Sequence, residues 1–138
     1  MHIYVDGTAL SRYLVDDAEH DAWIAWVVGR EELLLTTPLA ITELRQVADP
    51  QGIAARQCAR DVADRITTVR FSDQALRTAA MASSVLPPFA ALHLGVAVSD
   101  PEVGALATYD PLLAKVATIY GIEVLSPGRS TGWWERLA

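Results

Sequence analysis

The sequence has 138 residues, of which 51% are hydrophobic and 20% charged, and its formal net charge at pH 7 is −6. A chain of this length and composition can bury a substantial core and is too apolar to be disordered. The negative charge excludes a generally basic protein that coats nucleic acid, but it leaves room for a local basic surface.

Strands and helices alternate along the first half of the chain. In chain order, the pattern predicts a strand at Ile3–Val5, a helix over Ala9–Val15 capped by Thr8, a helix with Trp23, Ile24, Trp26 and Val27 on its apolar face, a strand at Leu33–Thr36, a helix from Pro38 to about Val47, a helix over residues 53–65 and a strand at Ile66–Arg70. The acids that precede the second helix suit the positive end of its dipole; they are Asp16, Asp17, Glu19 and Asp21.

The same alternation continues in the second half. It predicts a helix over Asp73–Val85 capped by Ser72, a helix over Phe89–Ser99, a strand at Ala105–Tyr109, a helix from Pro111 that stops at Gly121, a strand at Ile122–Leu125 and a tail over residues 129–138. Short apolar strands between helices are typical of α/β proteins. We therefore expect one domain over residues 1–138, a three-layer α/β/α sandwich around a mainly parallel five-stranded sheet.

Two features of the sequence bear on the compartment. Residues 78–99 carry no formal charge, and a run of that length is long enough to cross a membrane. Pro87 and Pro88 divide the run, so two helices joined by a turn explain it better. The start of the chain lacks the pattern of a signal peptide, and Cys58 is the only cysteine. We expect a cytoplasmic protein without a membrane partner.

Three acids are predicted to meet at one edge of the sheet. Asp6 follows the first strand, Asp110 follows the fourth, and Glu43 lies about one turn into the helix after the second. Ligands of open α/β sheets bind beyond the carboxyl ends of the strands. Converging carboxylates repel each other unless a cation neutralises them, and oxygen ligands favour Mg²⁺ or Mn²⁺ over zinc. Each acid taken singly also fits a helix cap or a solvated side chain.

The residues around these acids resemble those of the PIN-domain family, and in particular the VapC-type toxins of bacterial toxin–antitoxin pairs. The segments that carry the resemblance are residues 4–10 (YVDGTAL), Thr42-Glu43-Leu44, residues 107–110 (ATYD) with 112–114 (LLA), residues 121–124 (GIEV) and 126–128 (SPG). They span about residues 2–128. Each segment is weakly specific, but their order and spacing fit the family.

The chain departs from the family pattern at one position. The family typically has Asp-Ala-Leu/Ile-His-Leu before its fourth strand, where this sequence reads Ala90-Ala91-Leu92-His93-Leu94. Three explanations stay open: a natural loss of the acid, an Asp-to-Ala substitution made to silence a toxic nuclease, or a core alanine of another family. His93 shares a helix side with Ala90, and it fits a catalytic base or a buried histidine beside the site.

The resemblance implies a metal-dependent endoribonuclease that leaves a 5′-phosphate and a 3′-hydroxyl. It implies Mg²⁺ or Mn²⁺ bound by Asp6 and Asp110, with Glu43 binding the metal directly or through water, and with Ala90 at the position of the missing ligand. Thr8 and Thr108 would hydrogen-bond the ligating carboxylates. It also implies a homodimer and a small antitoxin protein as partner.

Two further groups of residues fit macromolecular partners. Arg45, Arg56 and Arg60 could contact RNA phosphates at the rim of the site, although arginines on helices are mostly solvated or paired with acids. The tail over residues 129–138 carries Trp133 and Trp134, and aromatic residues are enriched in interface cores. Packing of the tail on its own core explains these tryptophans equally well.

Other functions fit the sequence less well. Haloacid-dehalogenase phosphatases need Asp-x-Asp after the first strand, and position 8 is Thr8. A receiver domain needs a lysine near the fifth strand, whereas Lys115 is predicted within a helix. A non-catalytic protein that retains the fold and only binds a partner remains the main alternative to a nuclease.

Overall fold

The five strands form one parallel sheet in the order β3-β2-β1-β4-β5. The computed structural model describes residues 1–14 and 18–136. The strands are β1 (His2–Val5), β2 (Leu34–Thr36), β3 (Thr67–Thr68), β4 (Val103–Ala107) and β5 (Glu123–Leu125). Helices pack on both faces, which confirms the predicted three-layer α/β/α architecture, with a sheet that is parallel throughout.

Several helices begin at residues whose side chains cap them. They are α1 (Gly7–Leu10), α2 (His20–Val27), α3 (Pro38–Ala48), α4 (Ile53–Arg65), α5 (Asp73–Ala82), α6 (Pro88–Ser99) and α7 (Pro111–Ile119). Thr37 caps α3, Ser72 caps α5 and Asp110 caps α7, each by accepting a hydrogen bond from a backbone N–H of the first turn. Among the described residues, no helix is long and apolar enough to cross a membrane.

The order of the strands creates one candidate ligand-binding edge. β1 lies at the centre, with β2 on one side and β4 on the other, and Val5 pairs with Ala107 at the carboxyl end. The residues that follow these two positions, Asp6 and Thr108, are therefore neighbours. The chain leaves β1 toward β2 and later returns to β4, so this is the switch point at which parallel sheets bind ligands.

Two hydrophobic clusters cover the two faces of the sheet. One includes residues of α5, α6 and α7, and the other includes residues of α1 to α4. The contact between α5 and α6 is close, because a Cβ added at Gly95 would lie 2.2 Å from the carbonyl oxygen of Ala75. The long uncharged run therefore belongs to two buried, closely packed helices.

The structure corrects the predicted beginning of the first helix. Asp6, not Thr8, is the cap of α1, and its Oδ1 accepts the N–H of Ala9. The helix is followed by a 3₁₀ turn at Ser11–Tyr13, and the predicted end at Val15 lies outside the described residues. Asp16 and Asp17 also lie outside them.

Several predicted boundaries are also wrong. Leu33 belongs to a 3₁₀ turn before β2, and only Thr67–Thr68 of the predicted third strand pairs with the sheet. β4 ends at Ala107, so Asp110 follows the strand by three residues. The fifth helix ends at Ala82 and not at Val85.

Candidate active site

Asp6 is the most deeply buried acid of the carboxyl edge. Its Oδ1 accepts hydrogen bonds from Thr8 Oγ1 at 2.7 Å and from the N–H of Ala9 at 2.9 Å, and its Oδ2 accepts one from Thr108 Oγ1 at 2.6 Å. The two threonines are themselves held, because Thr8 Oγ1 accepts the N–H of Tyr109 and Thr108 Oγ1 accepts the N–H of Asp110. Both threonines thus donate to the carboxylate of Asp6, and their role beside a metal stays a prediction.

Burial raises the pKa of Asp6 above its ordinary value. The nearby His93 and the hydrogen bonds from Thr108, Thr8 and the N–H of Ala9 all favour the charged form and oppose this rise. A buried carboxylate surrounded by hydroxyl and amide donors is uncommon in a hydrophobic core. It is typical of a site that binds a positively charged group.

Glu43 faces the same edge from α3. Its Oε1 accepts a hydrogen bond from Nε2 of His93 at 2.5 Å, and its side chain remains partly exposed. A Cβ added at Gly7 would lie 2.5 Å from Cβ and 2.6 Å from Oε1 of Glu43. Glycine at position 7 therefore lets Glu43 lie directly against the backbone that follows Asp6.

A chain of buried hydrogen bonds holds His93. Nδ1 of His93 lies 2.7 Å from the hydroxyl of Tyr4, which lies 2.9 Å from Oγ1 of Thr37. With a neutral imidazole, Thr37 donates to Tyr4, Tyr4 donates to His93 and His93 donates to Glu43. With a protonated imidazole, both ring nitrogens donate and Tyr4 donates to Thr37. The sequence did not point to Tyr4 or Thr37 as part of this chain. Tyr4 lies 89 residues from His93 and 33 residues from Thr37, and no local motif predicts contacts at such separations.

Asp110 sits at the N-terminus of α7. Its Oδ1 accepts the N–H groups of Leu112 and Leu113 at 3.0 and 3.2 Å. It is partly exposed, unlike Asp6, and is tied to the same edge through the hydrogen bond from its N–H to Thr108. Both aspartates therefore cap a helix. In each, only Oδ1 accepts the N–H groups of the first turn, and Oδ2 takes no part in the cap.

Ala90 is the third residue of α6 and is 8% exposed. It precedes His93 by three residues, which places the two on one side of the helix. His93 points to Glu43, so the methyl group of Ala90 lies on the side of α6 that faces the acidic edge. An aspartate at this position would add a carboxylate there.

The residues present do not complete a divalent-metal site. Asp6, Glu43 and Asp110 have the oxygen donors that Mg²⁺ and Mn²⁺ prefer. Over residues 1–14 and 18–136, however, no three side chains of His, Cys, Asp or Glu lie close enough together to hold a metal ion. Ala90 has no donor, and Oε1 of Glu43 is already bonded to His93. The metal site stays a prediction.

The arginines predicted to contact RNA lie on exposed surfaces of α3 and α4. Arg45 follows Glu43 by two residues, so it leaves α3 on nearly the opposite side. Arg56 donates to the carbonyl oxygen of Asp49, and Arg60 is exposed. The structure thus gives no contact between these arginines and the acidic edge.

Comparison with known proteins adds a relative that covers nearly the whole chain. The chain is similar to Ribonuclease VapC35 of Mycobacterium tuberculosis. The identity to VapC35 is 29% over 137 residues, in strains CDC 1551 and H37Rv alike. The match includes 93% of this chain and 98% of VapC35, so the similarity covers nearly the whole of both chains. No family model matches the sequence.

Proposed function

We propose that this protein is a VapC-type ribonuclease toxin of the PIN-domain family whose site lacks one acid. The observation that carries the proposal is the similarity to Ribonuclease VapC35 along nearly the full length of both chains. The positions of Asp6, Glu43 and Asp110 at one edge of a parallel α/β/α sheet support it, because phosphodiester hydrolysis is commonly assisted by divalent metals held on carboxylates.

The proposal assigns the catalytic acids to Asp6, Glu43 and Asp110, with Mg²⁺ or Mn²⁺ as the cofactor once position 90 is acidic. The partners are an RNA substrate, a small antitoxin protein and a second copy of the chain, and the compartment is the cytoplasm. In the chain as it stands, Ala90 removes a carboxylate and impairs both metal binding and cleavage.

The test restores the missing acid. Ala90→Asp should bind Mg²⁺ or Mn²⁺ and cleave single-stranded RNA. Loss of a residue that only hydrogen-bonds a metal ligand lowers metal affinity roughly 10–100-fold. Restoring a ligand itself should therefore raise metal affinity by more than this. Ala90→Asn is the matched control, because it adds the same shape without the charge, and it should restore neither property. Metal binding is measured by calorimetry and cleavage by gel analysis of a mixed RNA pool.

The double variant Ala90→Asp with Asp6→Asn should lose the restored cleavage. If Ala90→Asp folds but neither binds metal nor cuts RNA, the nuclease assignment fails. That result would favour the alternative, a non-catalytic protein that acts only by binding a partner. The alanine at position 90 and the engagement of Glu43 by His93 are the observations on the side of this alternative.

A further inference from the structure

A cavity separate from the acidic edge lies beside the end of β5, between α2 and the C-terminal segment. Its volume is about 200 Å³, enough for one planar heterocycle. Its walls combine aromatic rings, a cation and hydroxyl groups. The residues that carry them are Trp26, Ser126, Arg129, Thr131, Trp133 and Trp134. Nothing in the predicted nuclease site uses this cavity.

The wall of the cavity is rigidly built. Trp133 is 7% exposed, and its ring packs edge-on against that of Trp134 with centroids 6.0 Å apart. The guanidinium of Arg129 lies 4.4 Å from the centre of the Trp133 ring and is fixed by an ion pair of 2.6 Å to Glu19. These contacts hold the Trp133 ring between Arg129 and Trp134.

One polar group of this wall has no partner. Nε1 of Trp133 is buried and makes no hydrogen bond within the described part of the chain. A buried indole N–H normally has an acceptor, because leaving it unbonded costs free energy. Trp133 and Trp134 line the cavity, so a planar ring that enters it and displaces the wall slightly can bring a hydrogen-bond acceptor to this donor.

The cavity is tied directly to the candidate active site. Ser126 Oγ donates to the carbonyl oxygen of Thr108 at 2.6 Å, and the hydroxyl of Tyr109 donates to that of Pro127 at 2.6 Å. Thr108 and Tyr109 are the two residues before Asp110. A strand of RNA that reaches the acidic edge could therefore place a neighbouring nucleotide over this cavity.

We propose that this cavity binds one nucleobase of the RNA strand, stacked on the tryptophans and accepting a hydrogen bond from Nε1 of Trp133. The inference rests on the proposed function for the identity of the strand. Because Arg129 is already paired with Glu19, recognition comes mainly from stacking and from the indole donor, and less from the phosphate charge. The site selects for a base and not for the sugar–phosphate.

The experiment follows the indole N–H signals by NMR in the full chain with Ala90, which needs no cleavage. The four tryptophans give four signals, and Trp133→Phe assigns the one at issue. Titration with adenosine or uridine 5′-monophosphate should shift the Trp133 signal, whereas ribose 5-phosphate, which lacks the base, should not. The Trp23 signal should shift less than that of Trp133, because Trp23 does not itself line the cavity and only contacts the lining residue Trp26.

Variants then separate the donor from the fold. Trp133→Phe keeps a ring but removes the donor, and it should weaken nucleotide binding about 2–12-fold, the net value of one hydrogen bond. Trp134→Ala removes part of the stacking wall and should weaken binding about 5–100-fold, the range that stacking on one aromatic residue covers. Trp23→Phe is the matched control, since Nε1 of Trp23 is also buried and unbonded but does not line the cavity. It should leave the affinity unchanged.

Two results would overturn the inference. One is an equal response to nucleotides and to ribose 5-phosphate. The other is tighter binding of N-acetyl-tryptophanamide than of either nucleotide, which would assign the cavity to an aromatic side chain of a protein partner. Either result leaves RNA cleavage by Ala90→Asp untouched, and failure of that cleavage leaves base binding measurable, so the two proposals fail separately.

Discussion

Replacing Tyr4 by phenylalanine should destabilise the protein by about 2–3 kcal/mol. The hydroxyl of Tyr4 is buried, lies 2.7 Å from Nδ1 of His93 and lies 2.9 Å from Oγ1 of Thr37. Burial raises the pKa of Tyr4 well above its usual range, so the group stays a neutral donor. Its removal takes the partner from Nδ1 of His93 and leaves Oγ1 of Thr37 with only the N–H of Ala40, and a buried polar group left unsatisfied costs about 1–3 kcal/mol.

The assay is equilibrium unfolding in urea followed by circular dichroism. The expected loss corresponds to a decrease of about 6–10 °C in Tm for a chain of this size. Tyr120→Phe is the matched control, because Tyr120 is 43% exposed, and it should change stability by less than about 0.5 kcal/mol. If Tyr4→Phe is as mild as Tyr120→Phe, the chain of hydrogen bonds from Thr37 to Glu43 does not exist as described.

Three further substitutions test other parts of the structure by the same unfolding assay. The hydrogen bond from Arg65 holds the pKa of Glu31 below its ordinary value of 4.5, so the ion pair stabilises the fold above that pH. Glu31→Gln should therefore destabilise the protein at pH 7, and the difference should vanish as the pH falls below the lowered pKa of Glu31; a constant difference would contradict this cause. Gly95→Ala should cost about 1–3 kcal/mol through its clash with the carbonyl of Ala75, whereas helix propensity alone would make it stabilising by about 1 kcal/mol. Asp110→Ala should cost about 1 kcal/mol and Asp110→Asn much less, because asparagine also caps helices; equal losses would show that the cap contributes nothing.

Local patterns predicted the elements of the fold better than their ends. The helix over residues 53–65 matches α4 because its apolar residues repeat on one face. The third strand is shorter than its apolar composition suggests, since β3 lies at the sheet edge and can pair only with β2, itself three residues long. β4 ends early because the N–H of Tyr109 turns away from the sheet to bond Thr8.

The acids of the site were found from the sequence, but their surroundings were not. Asp6 and Asp110 could be placed because each directly precedes a helix near the end of a strand. The contact of Glu43 with His93 joins residues 50 positions apart on different helices, and no local pattern specifies it. Capping propensity also could not predict whether Asp6 or Thr8 caps α1, since both residue types cap well. In the structure, the hydroxyl of Thr8 accepts the N–H of Tyr109 instead, and Asp6 is the cap.

The acids of the site differ in what the fold requires of them. Asp6 caps α1, Asp110 caps α7, and Glu43 ends a buried chain of hydrogen bonds, so a change at any of them removes an interaction of the fold as well as a proposed catalytic group. Position 90 makes no such interaction, because alanine has no hydrogen-bonding side chain and still favours the helix. Under the proposed function, replacing an acid at position 90 by alanine removes a metal ligand while leaving the helix caps and the buried hydrogen bonds of the site in place.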